Sequence, residues 1–216
     1  RIEKIEEVTK YILYLKEKNI PVLPPDVSKS KPYFSVQGDA VRFGLSALKG
    51  VGVGATQKII EERDANRLFK NFPDFVFRCA AFLNKRMLEG LISAGAFDCF
   101  GVHRSQLLAV YESVLDRANK ISKQKASAQM SLFGDIIEED VSDISYPDIP
   151  EFANNEKLAR EKTFLGVYVC GHPFEGYASA FKDCSFSCAK MQNFEEDEDG
   201  RRTYPELTDS EQVTMG

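Results

Sequence analysis

The chain has 216 residues, enough for one large domain or two small ones, and 43% hydrophobic with 28% charged residues is an ordinary globular mixture. No apolar run approaches the ~20 residues that a membrane-crossing helix needs. The formal net charge is −5, yet residues 41–134 net +6 and residues 135–216 net −12, so the middle of the chain is suited to face phosphates and the last third is ill suited to it.

The chain opens on Arg1 with no signal-peptide pattern and is read as a piece of a longer protein. Its five cysteines (Cys79, Cys99, Cys170, Cys184 and Cys188) are odd in number and scattered, so no disulfide framework is expected. Only His103 and His172 could join them at a metal, and the spacing fits no zinc knuckle.

Ile2, Ile5, Val8, Ile12 and Leu15 recur at threes and fours, which predicts an amphipathic helix over residues 2–18. The proline-rich residues 20–25 read as an extended crossover. Short alternating runs at 33–36 and 41–43, around Gln37, Gly38, Asp39 and Ala40, predict a β-hairpin of four to five residues a side. A turn or two of helix follows over 45–49, then a helix over 55–63. Asn71 and Pro73 open another, and Asn84 caps a helix that reaches Ala94 and is closed by Gly95. Its core face is Met87, Leu88, Leu91 and Ile92. A long helix is expected over 103–125, with Leu107, Tyr111, Val114, Ala118 and Ile121 repeating along it. Residues 126–155 lose the periodicity and read as an extended strap. Helix returns over 156–169, with a further short helix to about residue 182, and the acidic run 195–199 belongs to a solvated, strand-free stretch.

The most informative segment is Leu48-Lys49-Gly50-Val51-Gly52-Val53-Gly54-Ala55, in which three glycines alternate with valines between two helical stretches. Glycines permit a tight turn and let a ligand touch the main chain. The outgoing helix presents unpaired N–H groups and the positive end of its dipole, which together suit a phosphate. Lys49 and Lys58 flank the turn, and Val51 and Val53 are expected to pack inward. This is the pattern of a helix-hairpin-helix element, which grips a nucleic-acid phosphate without reading sequence. No Gly-Lys-Ser/Thr follows, so it is no P-loop, and no strand precedes it as a dinucleotide fold requires. The plainer alternative is a glycine-rich connector between two packed helices. A looser copy lies at residues 91–101 around Gly95, and Lys85 and Arg86 add donors if they share that side. Within the strap, Gln129-Met130-Ser131-Leu132-Phe133 suits a peptide that docks in another protein, with Leu132 and Phe133 as anchors; folding back onto its own helices is the alternative. No paired acids or nucleophile-base arrangement can be argued, so catalytic residues are expected to be none and metal ligands none.

Four stretches in this order resemble the alpha subunit of bacterial DNA polymerase III: residues 20–27 with 41–52, residues 83–98, residues 129–134, and residues 161–173. The resemblance covers about residues 1–182. It implies a mainly α fold: a tandem helix-hairpin-helix domain with a small β-hairpin, then an extended strap and one or two further helices. It implies the end of a fingers region at 1–20, a tandem helix-hairpin-helix domain holding duplex DNA at 21–125, a strap at 126–155, a helical segment at 156–182, and an acidic connector toward an OB-fold at 183–216. DNA-binding residues would be Lys49, Gly50, Gly52, Val53, Gly54, Lys58, Lys85, Arg86 and Gly95. Residues Gln129, Met130, Ser131, Leu132 and Phe133 resemble the internal sliding-clamp-binding motif. The family adds deoxynucleotides to a primer with magnesium held by palm aspartates that this chain lacks, so no cofactor is expected here. The implied partners are double-stranded DNA, the sliding clamp and the other polymerase III holoenzyme subunits, with no membrane, in the bacterial cytoplasm. The alternatives are a stand-alone helix-hairpin-helix repair or recombination protein, and a non-enzymatic interaction scaffold.

Overall fold

Apolar spacing makes the first helix, α1 (Ile5–Glu17), whose Ile12 is buried while Val8 packs against the core. In this computed structural model the described residues are 5–127 and 144–174, together with two short strands at 195–196 and 202–203. Asn19, at φ +57°, stops α1 in the left-handed conformation. The Ile20 N–H reaches the Leu15 carbonyl and the Asn19 N–H the Lys16 carbonyl, so orphan carbonyls of the last turn are satisfied.

The extended residues that follow do more than cross over. Strand β1 (Val22–Leu23) pairs in parallel with β3 (Ala40–Arg42), which pairs antiparallel with β2 (Ser35–Gln37). The order is β1-β3-β2. The expected hairpin is present with three residues a side rather than four or five, and it gains a third strand. Gly38, at φ +60°, opens its two-residue loop, where a hairpin turn requires glycine. Arg63 on α2 (Val53–Ala65) is buried beneath this region and donates to the Val27 and Ser30 carbonyls at 3.2 and 2.9 Å. Ser30 donates in turn to the Phe43 carbonyl at 2.8 Å.

Helix α3 (Phe72–Cys79) starts at Asn71, whose side chain accepts from the Asp74 N–H, with Pro73 in the first turn. Helix α4 (Lys85–Ser93) starts the same way at Asn84, which accepts from the Met87 N–H. These two and the long α5 (Arg104–Ser127) enclose the core. Phe72, Phe75 and Phe97 are fully buried and meet edge to face, with centroids 4.8–5.1 Å apart. Leu107, Val114, Leu115 and Ala118 line the inward face of α5, while Tyr111 and Ile121 are half-buried at its margin. The mainly helical fold with a small sheet is the one expected.

The later half of the strap is docked. Glu151 accepts from the Arg104 and Ser105 N–H groups at 3.0 and 3.2 Å, capping α5 from 47 and 46 residues away. Ser105 donates to the Pro150 carbonyl and Gln106 to the Pro147 carbonyl. Helix α6 (Asn154–Leu165) ends at Gly166, at φ +81°, rather than continuing to Val169. Within α6, Glu161 is almost fully buried and accepts from the Val169 and Cys170 N–H groups beyond the turn.

The chain divides into two compact units, 1–172 and 173–216, so the strap and α6 belong to the same unit as the helical module. In the second unit β4 (Glu195–Glu196) pairs antiparallel with β5 (Arg202–Thr203). Part of the acidic run is therefore strand, against expectation. The short helix expected beyond residue 174 lies outside the described residues.

Candidate nucleic-acid interface

The glycine segment begins where a 3-10 turn, Leu45–Ala47, delivers Leu48 and Val51 into the core at 3% and 5% exposure. Between them Lys49 and Gly50 stay on the surface. Gly50 sits at φ +82°, a conformation that only glycine takes without strain. Gly52 then caps α2 with extended backbone, and Thr56 returns both its N–H and its hydroxyl to the Gly52 carbonyl. The N–H groups of Val53, Gly54 and Ala55 in that first turn have no partner among the described residues, and the turn carries no acid.

Helix α2 thus starts at Val53, two residues earlier than the sequence implies. This turns Val53 outward at 43% exposure, whereas it was expected to pack inward. Of the two valines, only Val51 packs inward. A Cβ placed on Gly52 or Gly54 would meet nothing within 4 Å.

Lys49 and Lys58 are exposed around this turn. Arg86, from the start of α4, joins them: a Cβ on Gly50 would stand 3.6 Å from its Nε. Lys85, one residue earlier, turns the other way. Its ammonium lies 2.6 Å from Glu112 and 3.8 Å from Asp116 of α5, and the hydrogen bond to Glu112 raises its pKa. It is engaged along α5 rather than held over the glycines.

The second glycine turn is not a copy of the first. Gly95, at φ +81°, is buried, and its N–H donates to the Ile92 carbonyl at 2.9 Å. The Ala94, Ala96 and Asp98 N–H groups are likewise paired. A Cβ at Gly95 would collide with the Arg104 guanidinium, which spans Asp98 and the Ser93 carbonyl beneath the turn. Gly95 closes α4, and its own N–H is spent on that turn, unlike those of Val53, Gly54 and Ala55.

Sequence reasoning passed over Phe164. Its carbonyl accepts the Lys49 N–H at 2.9 Å, and its ring lies beside Gly90 of α4. The only signal was its position inside the stretch 161–173, which carried the family resemblance and no assigned role. Gln129, Met130, Ser131, Leu132 and Phe133 lie outside the described residues.

Among the described residues no group of three or more His, Cys, Asp or Glu side chains gathers to hold a metal. The thiols there are not poised as nucleophiles. Burial raises Cys79 to about 12, Cys99 to about 11 and Cys170 to about 12. No described helix is long and apolar enough to cross a membrane.

Residues 19–107 match the helix-hairpin-helix motif family. The chain is also similar to proteins named DNA polymerase III subunit alpha. It is 35% identical to that of Chlamydia pneumoniae over 177 residues, covering 80% of this chain and 14% of the relative. It is 37% identical to that of Thermus aquaticus over 190 residues, or 88% and 15%. It is 37% identical to that of Deinococcus radiodurans over 173 residues, or 79% and 13%. The chain spans about a seventh of the length of these relatives.

Proposed function

We propose, the chain being homologous to one segment of the DNA polymerase III alpha subunits, that it grips the backbone of duplex DNA for a bacterial replicative polymerase. The observation that carries this is the pair Gly52 and Gly54. Gly52 has an ordinary φ of −73°, Gly54 lies in the first turn of a helix, and neither faces a neighbour within 4 Å. The fold asks for no glycine there. Bare backbone beside three unpartnered N–H groups, at the positive end of a helix, with exposed Lys49 and Lys58 flanking it in sequence and Arg86 beside Gly50, is what a phosphate oxygen requires. Such a grip is blind to sequence and sensitive to salt.

The longer protein would add deoxynucleotides to a primer, with magnesium held by segments other than this one. The grip's contribution is to keep product duplex in place between additions. The peptide at 129–133 would dock in the sliding clamp, so that a weak contact raises the local concentration of polymerase on a DNA-encircling ring. The charge balance supports the grip reading, since residues 41–134 net +6 while residues 135–216 net −12. A cytoplasmic setting, with the other holoenzyme subunits as neighbours, follows from that role.

The test is fluorescence anisotropy of labelled duplex DNA against salt. Replacing Lys49 and Lys58 together by Glu should abolish binding at moderate salt. Each lost phosphate contact should lower the slope of log K on log salt by about 0.9. Binding that survives this change would leave the hairpin a packing device and put the DNA contact elsewhere on the chain.

A further inference from the structure

Helix α6 reaches the glycine hairpin at one point. The last four carbonyls of any helix lack partners inside it. In α6 the Gly166 N–H satisfies Lys162, and the carbonyl of Phe164 is satisfied by the N–H of Lys49, the residue before Gly50. The Phe164 ring lies against α4: a Cβ on Gly90 would come within 3.1 Å of Cδ1 and 3.3 Å of Cε1, and within 3.5 Å of the Lys49 carbonyl oxygen. The Lys49 main chain is thus held between α4 and the last turn of α6, while its side chain is exposed. Leu165 and Val167, on either side of the Gly166 turn, are buried in the core and fix that last turn in place.

We propose that Phe164 is a positioning residue for DNA binding, setting the height at which the hairpin's N–H groups meet a phosphate. The inference rests on the phosphate-grip reading of the hairpin. It assigns a function in DNA binding to a helix that follows the hairpin by about a hundred residues. It also gives Gly90 a reason: a Cβ there would press on the Phe164 ring at 3.1 Å.

The experiment uses the whole chain in three forms: unaltered, Phe164→Ala and Phe164→Leu. Gly90→Ala serves as a second route to the same junction, since alanine favours a helix and the change leaves every charge in place. Two quantities are read: duplex-DNA affinity across a salt series, and hydrogen exchange of the Lys49 and Gly50–Gly54 amides without DNA. Phe164→Ala and Gly90→Ala should each weaken DNA binding about tenfold at every salt concentration, and Phe164→Leu should recover most of that loss. The salt slope should hold, because no basic residue has been removed. The Lys49 amide should exchange faster in the weakened variants while amides in α3 and α5 keep their protection. Unchanged affinity alongside faster Lys49 exchange overturns the positioning role and leaves the phosphate grip standing. If the unaltered chain binds no DNA, or the Lys49→Glu/Lys58→Glu variant binds as well as it does, the grip itself fails and this inference falls with it.

Discussion

Gly50, Gly52 and Gly54 stand two residues apart and answer to different demands. Gly50 is required by its backbone, at φ +82°, and Gly50→Ala should cost about 1–2 kcal/mol of stability in a denaturant titration. Gly52 and Gly54 are required by neither space nor conformation. Gly54→Ala should leave the melting temperature unchanged or slightly higher, since alanine is the better helix former, and should still weaken duplex DNA binding. A melting temperature that fell with the binding would place the glycine's purpose in the fold. Lys85 gives the opposite control. Its charge is engaged by Glu112 and Asp116, so Lys85→Ala should shift DNA affinity less than twofold in the same anisotropy assay. Three glycines in alternation were plain to read in the sequence. Which of them the fold needs was not, because that depends on a backbone angle and on empty space, and neither is written in residue identity.

At the scale of elements, local signals were the legible ones. Asn71 and Asn84 cap α3 and α4 where their spacing from the apolar residues implied, and Asn19, Gly38 and Gly95 punctuate as their types require. Long-range pairings were hidden. The parallel partnership of β1 with β3 joins residues 19 apart, and two-residue strands carry no period to detect. The Glu151 cap on α5 is the clearest case, since nothing near Arg104 announces its arrival. Burial pushes the Glu151 carboxyl up, but the N–H groups of Arg104, Phe152 and Ser105, with Lys157 nearby, hold it below its usual 4.5 overall. A carboxylate depressed in the folded state stabilises above its unfolded pKa, and that contribution is lost as pH falls below about 4.5 and through the folded value. Glu151→Gln should cost about 1 kcal/mol at pH 7 and flatten the acid limb of stability below about pH 5, measured by urea titration across pH. Phe75→Ala, at the centre of the aromatic cluster, should cost about 3–5 kcal/mol in the same titration, the largest single loss of those named here.

For the whole molecule, the charge division seen in the sequence does not coincide with the division into compact units. Residues 135–216 net −12, yet 144–172 of these belong to the first compact unit and help hold its basic hairpin. Clamp tethering is tested at this scale: Leu132→Ala with Phe133→Ala should remove binding to a purified bacterial sliding clamp and leave duplex DNA affinity intact. Loss of both together would mean that the two activities share one surface. The Glu151 cap and the Phe164 carbonyl bear on what holds this unit together. Residues 144–169 are joined to 5–127 by Glu151 on α5, by Gln106 and Ser105 on the Pro147 and Pro150 carbonyls, by Phe164 on Lys49 and by the buried Leu165 and Val167. None of these contacts depends on the covalent link between residues 127 and 144. A chain severed there should remain a stoichiometric complex in which the C-terminal piece acts as an intramolecular ligand set free. Dilution should then dissolve what a single polypeptide holds at any concentration, and adding the C-terminal piece back should restore the DNA grip.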